Sequence, residues 1–441
     1  MNIKRSLNKD ILETLSKSGV YMMFRVLAFL FTYLFAYLVV RYFGEGAYGF
    51  VTLAFTVLVI ITTLSVWGFD INLTKIFAEN DSVERHSSKY TTSALISLLT
   101  ACFFGLLIYL NSDLISERVF NKPGLTPYLK WAAATIPVWG IILMTAGVFR
   151  GLKNILLFSI FMSFGRFFLA CAVLLVLYFG VEQSHTIEGF PMFAHFLGLA
   201  VLFVVAQLMV FRKIRKPKIS FDPDFKKYFR STLPILLSAS LVILLTWIDK
   251  IFLGIYVEEA QIGVYDIAIR ISMFIVFSLD AINSILTPKI STAYYNNNLK
   301  AMQKEIDFIS KVNMVLSLGV FVMILLFDQF IFGIFGSNFL MGQTALIIVA
   351  VGQLINSYTG PVWNIMQMTG YQALLSKILL ITLGINVVLN LFLVKLYGIN
   401  GAATATAISL VFWNCIASYF IYKKLKIRTF YLPAGLRAKH T

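Results

Sequence analysis

The sequence predicts an all-α, polytopic membrane protein of about 12 transmembrane helices in two six-helix lobes around a central cavity. Three observations carry this expectation. The 441 residues are 59% hydrophobic and only 13% charged, with a mean hydropathy of +0.82, whereas soluble proteins average about 45–50% apolar and about 25% charged residues. The apolar residues fall in runs long enough to cross a bilayer, which takes roughly 20 residues per helix. Lysine and arginine are distributed unevenly between alternate loops, as a membrane topology demands. This composition excludes a soluble enzyme, a disordered chain and a nucleic-acid binder. It also argues against a β-barrel, whose strands alternate apolar and polar residues.

Runs bounded by charge, glycine or proline place the spans at 19–41, 50–72, 90–110, 129–149, 155–179, 189–211, 231–254, 262–287, 308–332, 343–366, 375–396 and 399–422. A basic leader precedes the first (Lys4, Arg5, Lys9, Lys17) and lacks a small-residue cleavage site, so it reads as a cytoplasmic amphipathic segment before an uncleaved helix. With the N-terminus in the cytoplasm, 28 Lys and Arg fall in inside segments and 5 in outside ones. That bias predicts both termini inside, and it explains most of the +16 net charge without an acidic partner. The segment Asn111–Pro127 is the longest outside loop and reads as an interfacial stretch. Cys102, Cys171 and Cys415 lie far apart in apolar runs and read as packing residues rather than a disulfide or metal set.

The longest polar stretch, Arg212–Arg230, follows six spans and precedes six more. It divides the chain into an N-terminal lobe 1–211, a basic cytoplasmic linker 212–230, a C-terminal lobe 231–422 and a basic tail 423–441. Weak self-similarity, such as Gly151 and Gly165 recurring as Gly370 and Gly384, points to parallel repeats of the kind that rock about a midplane site.

Charges within spans are costly and therefore mark a wet passage or a pair. Asp266, Arg270, Met273, Phe277, Asp280 and Ser284 share one face of the eighth helix, with Asp266 and Arg270 an i,i+4 pair. Thr52, Thr56, Thr63 and Asp70 form a stripe on the second helix. Arg25 lies inside the first helix, Arg166 inside the fifth, and Asp249 and Lys250 at the end of the seventh. Gln353, Ser357, Gly360, Asn364 and Gln367 line up on the tenth, and Thr382, Asn386 and Asn390 on the eleventh. One reading is a hydrated, net cationic vestibule in which Arg25, Arg166, Lys250 and Arg270 bind phosphate or an acidic sugar, since guanidinium matches phosphate oxygens bidentately. The other is structural: Asp266–Arg270 as a pair, Asp249–Lys250 at the membrane edge, Arg25 snorkelling to the surface, and the amides as glue between helices. His195 reads as a packing residue rather than a proton relay. No nucleotide loop, dinucleotide motif or metal-spaced His/Cys cluster is present. The expectation is therefore a transporter with no catalytic residues, no metal and no cofactor, drawing on an ion gradient, the membrane potential or the gradient of its substrate.

Three phrases carry a family likeness: RYFGEGAYGFVTLAFTV, DKIFLGIYVEEAQIGVYDIAIRIS and NLFLVKLYGINGAATATAIS. With the basic leader and the spans, they resemble the polysaccharide transporter family, which includes the Wzx-type O-antigen flippases of the multidrug/oligosaccharidyl-lipid/polysaccharide exporter superfamily. The resemblance implies an alternating-access flippase in the bacterial inner membrane. Its cargo would be an undecaprenyl-pyrophosphate-linked oligosaccharide, with Arg25 and Arg270 as pyrophosphate or sugar contacts. H+ or Na+ coupling and a polysaccharide polymerase as partner complete what it implies. Two alternatives stay open: a drug/cation antiporter of the same superfamily, which would depend on Asp70, and a membrane-bound polysaccharide-modifying enzyme.

Overall fold

Among the described residues of the computed structural model every regular element is a helix, as a chain that must satisfy its own backbone in lipid requires. The structure describes residues 2–78, 83–181, 187–214, 219, 221 and 223–431. The side chains of the leader cations, Asp224, Asp280 and Ser284 lie outside the described set, as do Arg215, Lys216, Lys218 and Asp222 of the linker and Arg437 and Lys439 of the tail.

The helices are α1 (Asn2–Phe43), α2 (Glu45–Val66), α3 (Phe69–Ala78), α4 (Val83–Leu110), α5 (Ser112–Leu114), α6 (Thr126–Gly151), α7 (Ile155–Ser159), α8 (Gly165–Gly180) and α9 (Phe190–Lys213), then α10 (Pro223–Tyr256), α11 (Glu259–Ser272), α12 (Phe274–Tyr295), α13 (Leu299–Gly333), α14 (Gln343–Tyr358), α15 (Val362–Met368) and α16 (Gln372–Leu425). Among the described residues, 11 helices are long and apolar enough to cross a membrane. Many apolar side chains on them face outward; Leu326 and Phe330 of α13 are 70% and 69% exposed, as suits helices solvated by lipid.

The eleventh, α16, spans 54 residues, about 80 Å if it were straight. It is not straight, because Gly398 takes φ 55 and ψ −131. The chain folds back so tightly there that a Cβ on Gly401 would lie 2.0 Å from the Leu393 carbonyl oxygen. The two arms account for the expected spans 375–396 and 399–422.

Two predicted stripes are corrected. The second span ends at Val66, since Trp67 and Gly68 both adopt left-handed φ (57 and 72). Asp70 therefore belongs to α3, off the threonine stripe of α2. Thr56 and Thr63 donate to the carbonyls of Thr52 and Val59 in their own helix. Likewise Gly360, at φ 80, separates Gln353 and Ser357 on α14 from Asn364 and Gln367 on α15. By contrast, α11 and α12 join at Met273, which stays right-handed (φ −64, ψ −19), so only a slight break interrupts the eighth span. The segment 111–127 is more ordered than a plain loop. It contains α5, a π turn at Ile115–Val119 and a 3-10 turn at Pro123–Leu125.

The chain divides into two compact units, 1–243 and 244–441, the boundary falling within α10. In the first unit α6 packs on α2, α3, α4 and α9, and its core gathers Phe69, Leu73, Trp139, Ile142, Phe149 and Leu202. In the second, α14 packs on α11, α13 and α16. Small residues allow the close approaches, as they do in membrane helix pairs generally: a Cβ on Gly198 of α9 would meet the Ala170 backbone nitrogen of α8 at 2.8 Å.

These contacts fix an expected contrast. Gly401→Ala forces the arms of α16 apart and costs about 1–3 kcal/mol, the usual toll of overpacking. Gly319→Ala on α13, where no atom lies within 4 Å of the new Cβ, is neutral or slightly stabilising. Thermal unfolding of the detergent-purified chains checks both.

Candidate functional site

Four of the expected residues are joined by direct contacts in the second unit. Lys250 of α10 and Asp266 of α11 form an ion pair, Nζ to Oδ1, of 2.8 Å, with side chains only 4% and 1% exposed. The second carboxylate oxygen of Asp266 accepts from Arg270 Nε at 2.5 Å. The Arg270 side chain is 19% exposed, so the cluster runs from a sealed interior to an accessible edge. Asp249, one residue before Lys250, is held separately. Its Oδ1 accepts from the Lys250 backbone N–H at 2.8 Å, and its Oδ2 accepts from Tyr265 Oη at 2.5 Å and from Thr406 Oγ1 at 3.3 Å. The ammonium of Lys250 also sits 3.9 Å from the centroid of the Trp247 ring, a favourable cation–π distance.

Asp249 and Lys250 are both buried, at 3%. Tertiary packing surrounds both with partners from within the second unit. These four residues are formally balanced, two carboxylates against two cations. Their chemistry is that of a desolvated charge network, where removing one partner strands another.

Arg166 belongs to the first unit and is met by a different device. Its Nε donates to His195 Nε2 at 3.0 Å, so the imidazole is the neutral tautomer carrying its proton on Nδ1. That nitrogen is buried and has no hydrogen-bond partner among the described residues. Three rings cover the guanidinium, with Trp139, Phe55 and Phe167 centroids 4.7, 5.2 and 5.1 Å from Cζ. Immediately before it, Ile160–Phe164 form a π turn, an irregularity that recurs at functional sites.

The remaining candidates stand apart from these groups. Arg25 is half-buried on α1, beside Phe24, which packs edge-on against Phe164 at 5.5 Å. Asp70 is half-buried on α3, where Gly147 of α6 comes so close that a Cβ would lie 2.2 Å from the Asp70 carbonyl oxygen. Asn364 donates to Thr287 Oγ1 at 2.7 Å. Asn386 donates to Ser409 Oγ at 3.0 Å and accepts from Asn390 at 3.0 Å, so these amides tie the two arms of α16 together.

Tyr265, Thr406, Trp247, Trp139 and Phe55 were not legible as site residues. Tyr265 is adjacent in sequence to Asp266, and neighbouring helix positions do not share a face; only the fold shows that it meets Asp249.

A helical fold with buried charge networks in apolar spans defines a polytopic membrane protein, and solved structures share that fold. The lipid II flippase MurJ, in an inward closed conformation, aligns with a TM-score of 0.71 at 15% identity, over 92% of this chain and 87% of that one. A multidrug resistance MATE family transporter of the MOP superfamily, in an inward-facing conformation, aligns with a TM-score of 0.68 at 17% identity, over 93% and 98%. A MOP superfamily transporter from Pyrococcus furiosus aligns at 0.65 and 15% identity, over 93% and 94%.

The family model described as polysaccharide biosynthesis protein matches residues 14–294, and the chain belongs to that family. The MatE model matches residues 234–392. Two proteins of Haloferax volcanii are similar over shorter stretches. A probable low-salt glycan biosynthesis flippase, Agl15, is 27% identical over 191 residues, 43% of this chain and 40% of that protein. A probable flippase, AglR, is 26% identical over 175 residues, 39% and 37%. The matched stretch thus spans about two fifths of each relative.

The shared carboxylate orders the effects of mutation. Asp266→Asn removes the carboxylate that Lys250 and Arg270 share and destabilises the second unit by about 3–5 kcal/mol. Lys250→Met leaves Asp266 still paired with Arg270 and costs clearly less. Thermal melting of the two variants in one detergent reads the order directly.

Proposed function

We propose that the chain is a flippase that moves a lipid-linked oligosaccharide from the cytoplasmic to the opposite leaflet by alternating access. The observation that carries this reading is the family match over 14–294, which encloses Arg25, Asp70, Arg166, Asp249, Lys250, Asp266 and Arg270. The names of the Haloferax relatives and the fold shared with the lipid II flippase support it. We read the carrier as undecaprenyl pyrophosphate and the cargo as an O-antigen or capsule-type repeat unit, on the likeness of the three sequence phrases. On the same footing the protein lies in the bacterial inner membrane with both termini cytoplasmic, as the distribution of Lys and Arg favours. It catalyses no reaction of its own, and H+ or Na+ coupling and a polymerase partner belong to the same proposal.

In this reading Arg25 and Arg270 meet the pyrophosphate, whose oxygens a guanidinium fork can engage in pairs. Asp266 holds Arg270 in place through Nε, and Lys250 pairs with the other oxygen of the same carboxylate. Arg166, in its aromatic and imidazole cradle, is a third contact for an anionic group, and Asn364 and Asn386 serve sugar hydroxyls.

Deleting the gene should remove surface polysaccharide and leave lipid-linked repeat units in the cytoplasmic leaflet. Arg25→Ala and Arg270→Ala should each do the same at unchanged protein level, and Arg270→Lys should restore function only partly, because an ammonium cannot bond in the bidentate manner. Normal polysaccharide in both alanine variants would remove the proposed contacts. The match to the MatE model over 234–392 favours one rival, a drug/cation antiporter; dye efflux that needs Asp70 while polysaccharide is unaffected would decide for it.

A further inference from the structure

The described chain does not stop where α16 leaves off. At Lys426 it takes a left-handed turn (φ 58), and residues 427–431 return to the first turns of α13. One side chain, Gln303, meets both backbone groups of Arg428: its Oε1 accepts the N–H at 2.8 Å and its Nε2 donates to the carbonyl at 2.9 Å. The same Nε2 donates to Asp307 at 2.8 Å. Ser310 Oγ donates to the Thr429 carbonyl at 2.8 Å, Thr429 Oγ1 to Ser418 at 3.0 Å, and Tyr358 Oη to the Tyr431 carbonyl at 3.0 Å. Ile427 and Thr429 are each 1% exposed. The strap is therefore built into the second unit.

Its consequence is electrostatic. Lys300, Lys304 and Lys311 at the start of α13 lie more than a hundred residues from Lys423, Lys424 and Lys426, yet the strap joins the two sets into one surface. All six are exposed. Three stand over tyrosine rings at ammonium-to-centroid distances of 5.8–5.9 Å: Lys311 over Tyr431, Lys423 over Tyr419 and Lys426 over Tyr422. The acidic groups nearby are engaged, Glu305 with Lys289 at 3.0 Å and Asp307 with Gln303. Lysines gathered beside tyrosines at the end of a spanning helix combine the two features that sit at the headgroup level of a bilayer. Charge asymmetry across the membrane requires basic residues on one side but does not require that they be tied together.

We propose that this strapped surface binds the headgroups of anionic phospholipids, with Gln303 as the residue that assembles it. Anionic lipid is favoured over an acidic protein or a nucleic acid because the tyrosines and lysines border apolar helix surface, where Phe308 and Val315 are exposed.

The test uses the full chain in nanodiscs of phosphatidylcholine with and without phosphatidylglycerol, reading the retention of a spin-labelled phosphatidylglycerol and the melting temperature. The wild-type chain should prefer phosphatidylglycerol on the order of tenfold, about what one or two such charge contacts supply, and melt higher in its presence. The variant Lys304→Gln/Lys311→Gln/Lys423→Gln/Lys424→Gln, altered only at exposed positions, should melt normally in phosphatidylcholine and lose the preference. Gln303→Ala, at unchanged charge, should lose most of it. Equal retention of both lipids by the wild-type chain, competition by free inorganic phosphate, or an acidic peptide or nucleic acid displacing the lipid would each overturn the proposal. Full preference in Gln303→Ala would overturn the role of the strap. If Gln303→Ala fails to fold, the four-lysine variant alone decides the lipid preference. None of these readouts involves transport, so they stand or fall apart from the flippase reading.

Discussion

Asp266 cannot leave the interior of the second unit without stranding a cation there. Its carboxylate takes Lys250 on one oxygen and Arg270 on the other. In hydrocarbon each charge would face a cost of several kcal/mol with no water to offset it. The contact thus settles how α10 and α11 sit against each other, and where Arg270 stands between the sealed interior and the accessible edge. Asp249 obeys the same rule with neutral donors, a phenol, a hydroxyl and a backbone N–H. Four ionisable residues close in space are tolerated because each carboxylate oxygen has a hydrogen-bond donor or a cation beside it.

The same constraint acts on the backbone. Chain breaks at Trp67–Gly68, Gly360 and Gly398 free N–H and C=O groups from the helical ladder, and such breaks persist at membrane depth only where protein or a water-lined cavity surrounds them. Around Gly360 the surroundings are specific. Asn313 bonds Ser357 through both its carbonyl and its hydroxyl, at 2.8 and 2.6 Å, and Asn414 accepts from Thr359 at 3.0 Å. A Cβ on Gly360 would lie 2.4 Å from the Thr429 carbonyl oxygen. Buried amides and hydroxyls on α13, α14 and α16 thus supply what the interrupted helix lacks. Arg166 shows a third solution, a guanidinium kept among aromatic faces and a neutral imidazole.

Much of this was readable in the chain. The apolar runs located the spans to within several residues, and Asp266 and Arg270 were recognisable as a pair because four residues make one helical turn. The errors share a cause. A stripe across Trp67–Gly68 or across Gly360 requires continuous helix, and a single left-handed residue rotates everything beyond it off the expected face. Lys250 was legible as a charge near a helix end; its burial was not, since burial depends on which helix packs over it. His195 was legible only as a lone polar residue, and its role in fixing Arg166 follows from the contact of α8 with α9.

By itself, then, the sequence determined the class of protein: an all-helical chain that crosses a membrane many times, whose charges in apolar surroundings must find partners. That much follows from local quantities, namely hydropathy summed over a window and the period of a helix. The tertiary structure alone decided the partners: Tyr265 with Asp249, Trp139 over Arg166, and Gln303 holding Arg428 from 125 residues away. Those pairings join helices that are remote along the chain, and hydropathy carries no record of which of two apolar faces will meet.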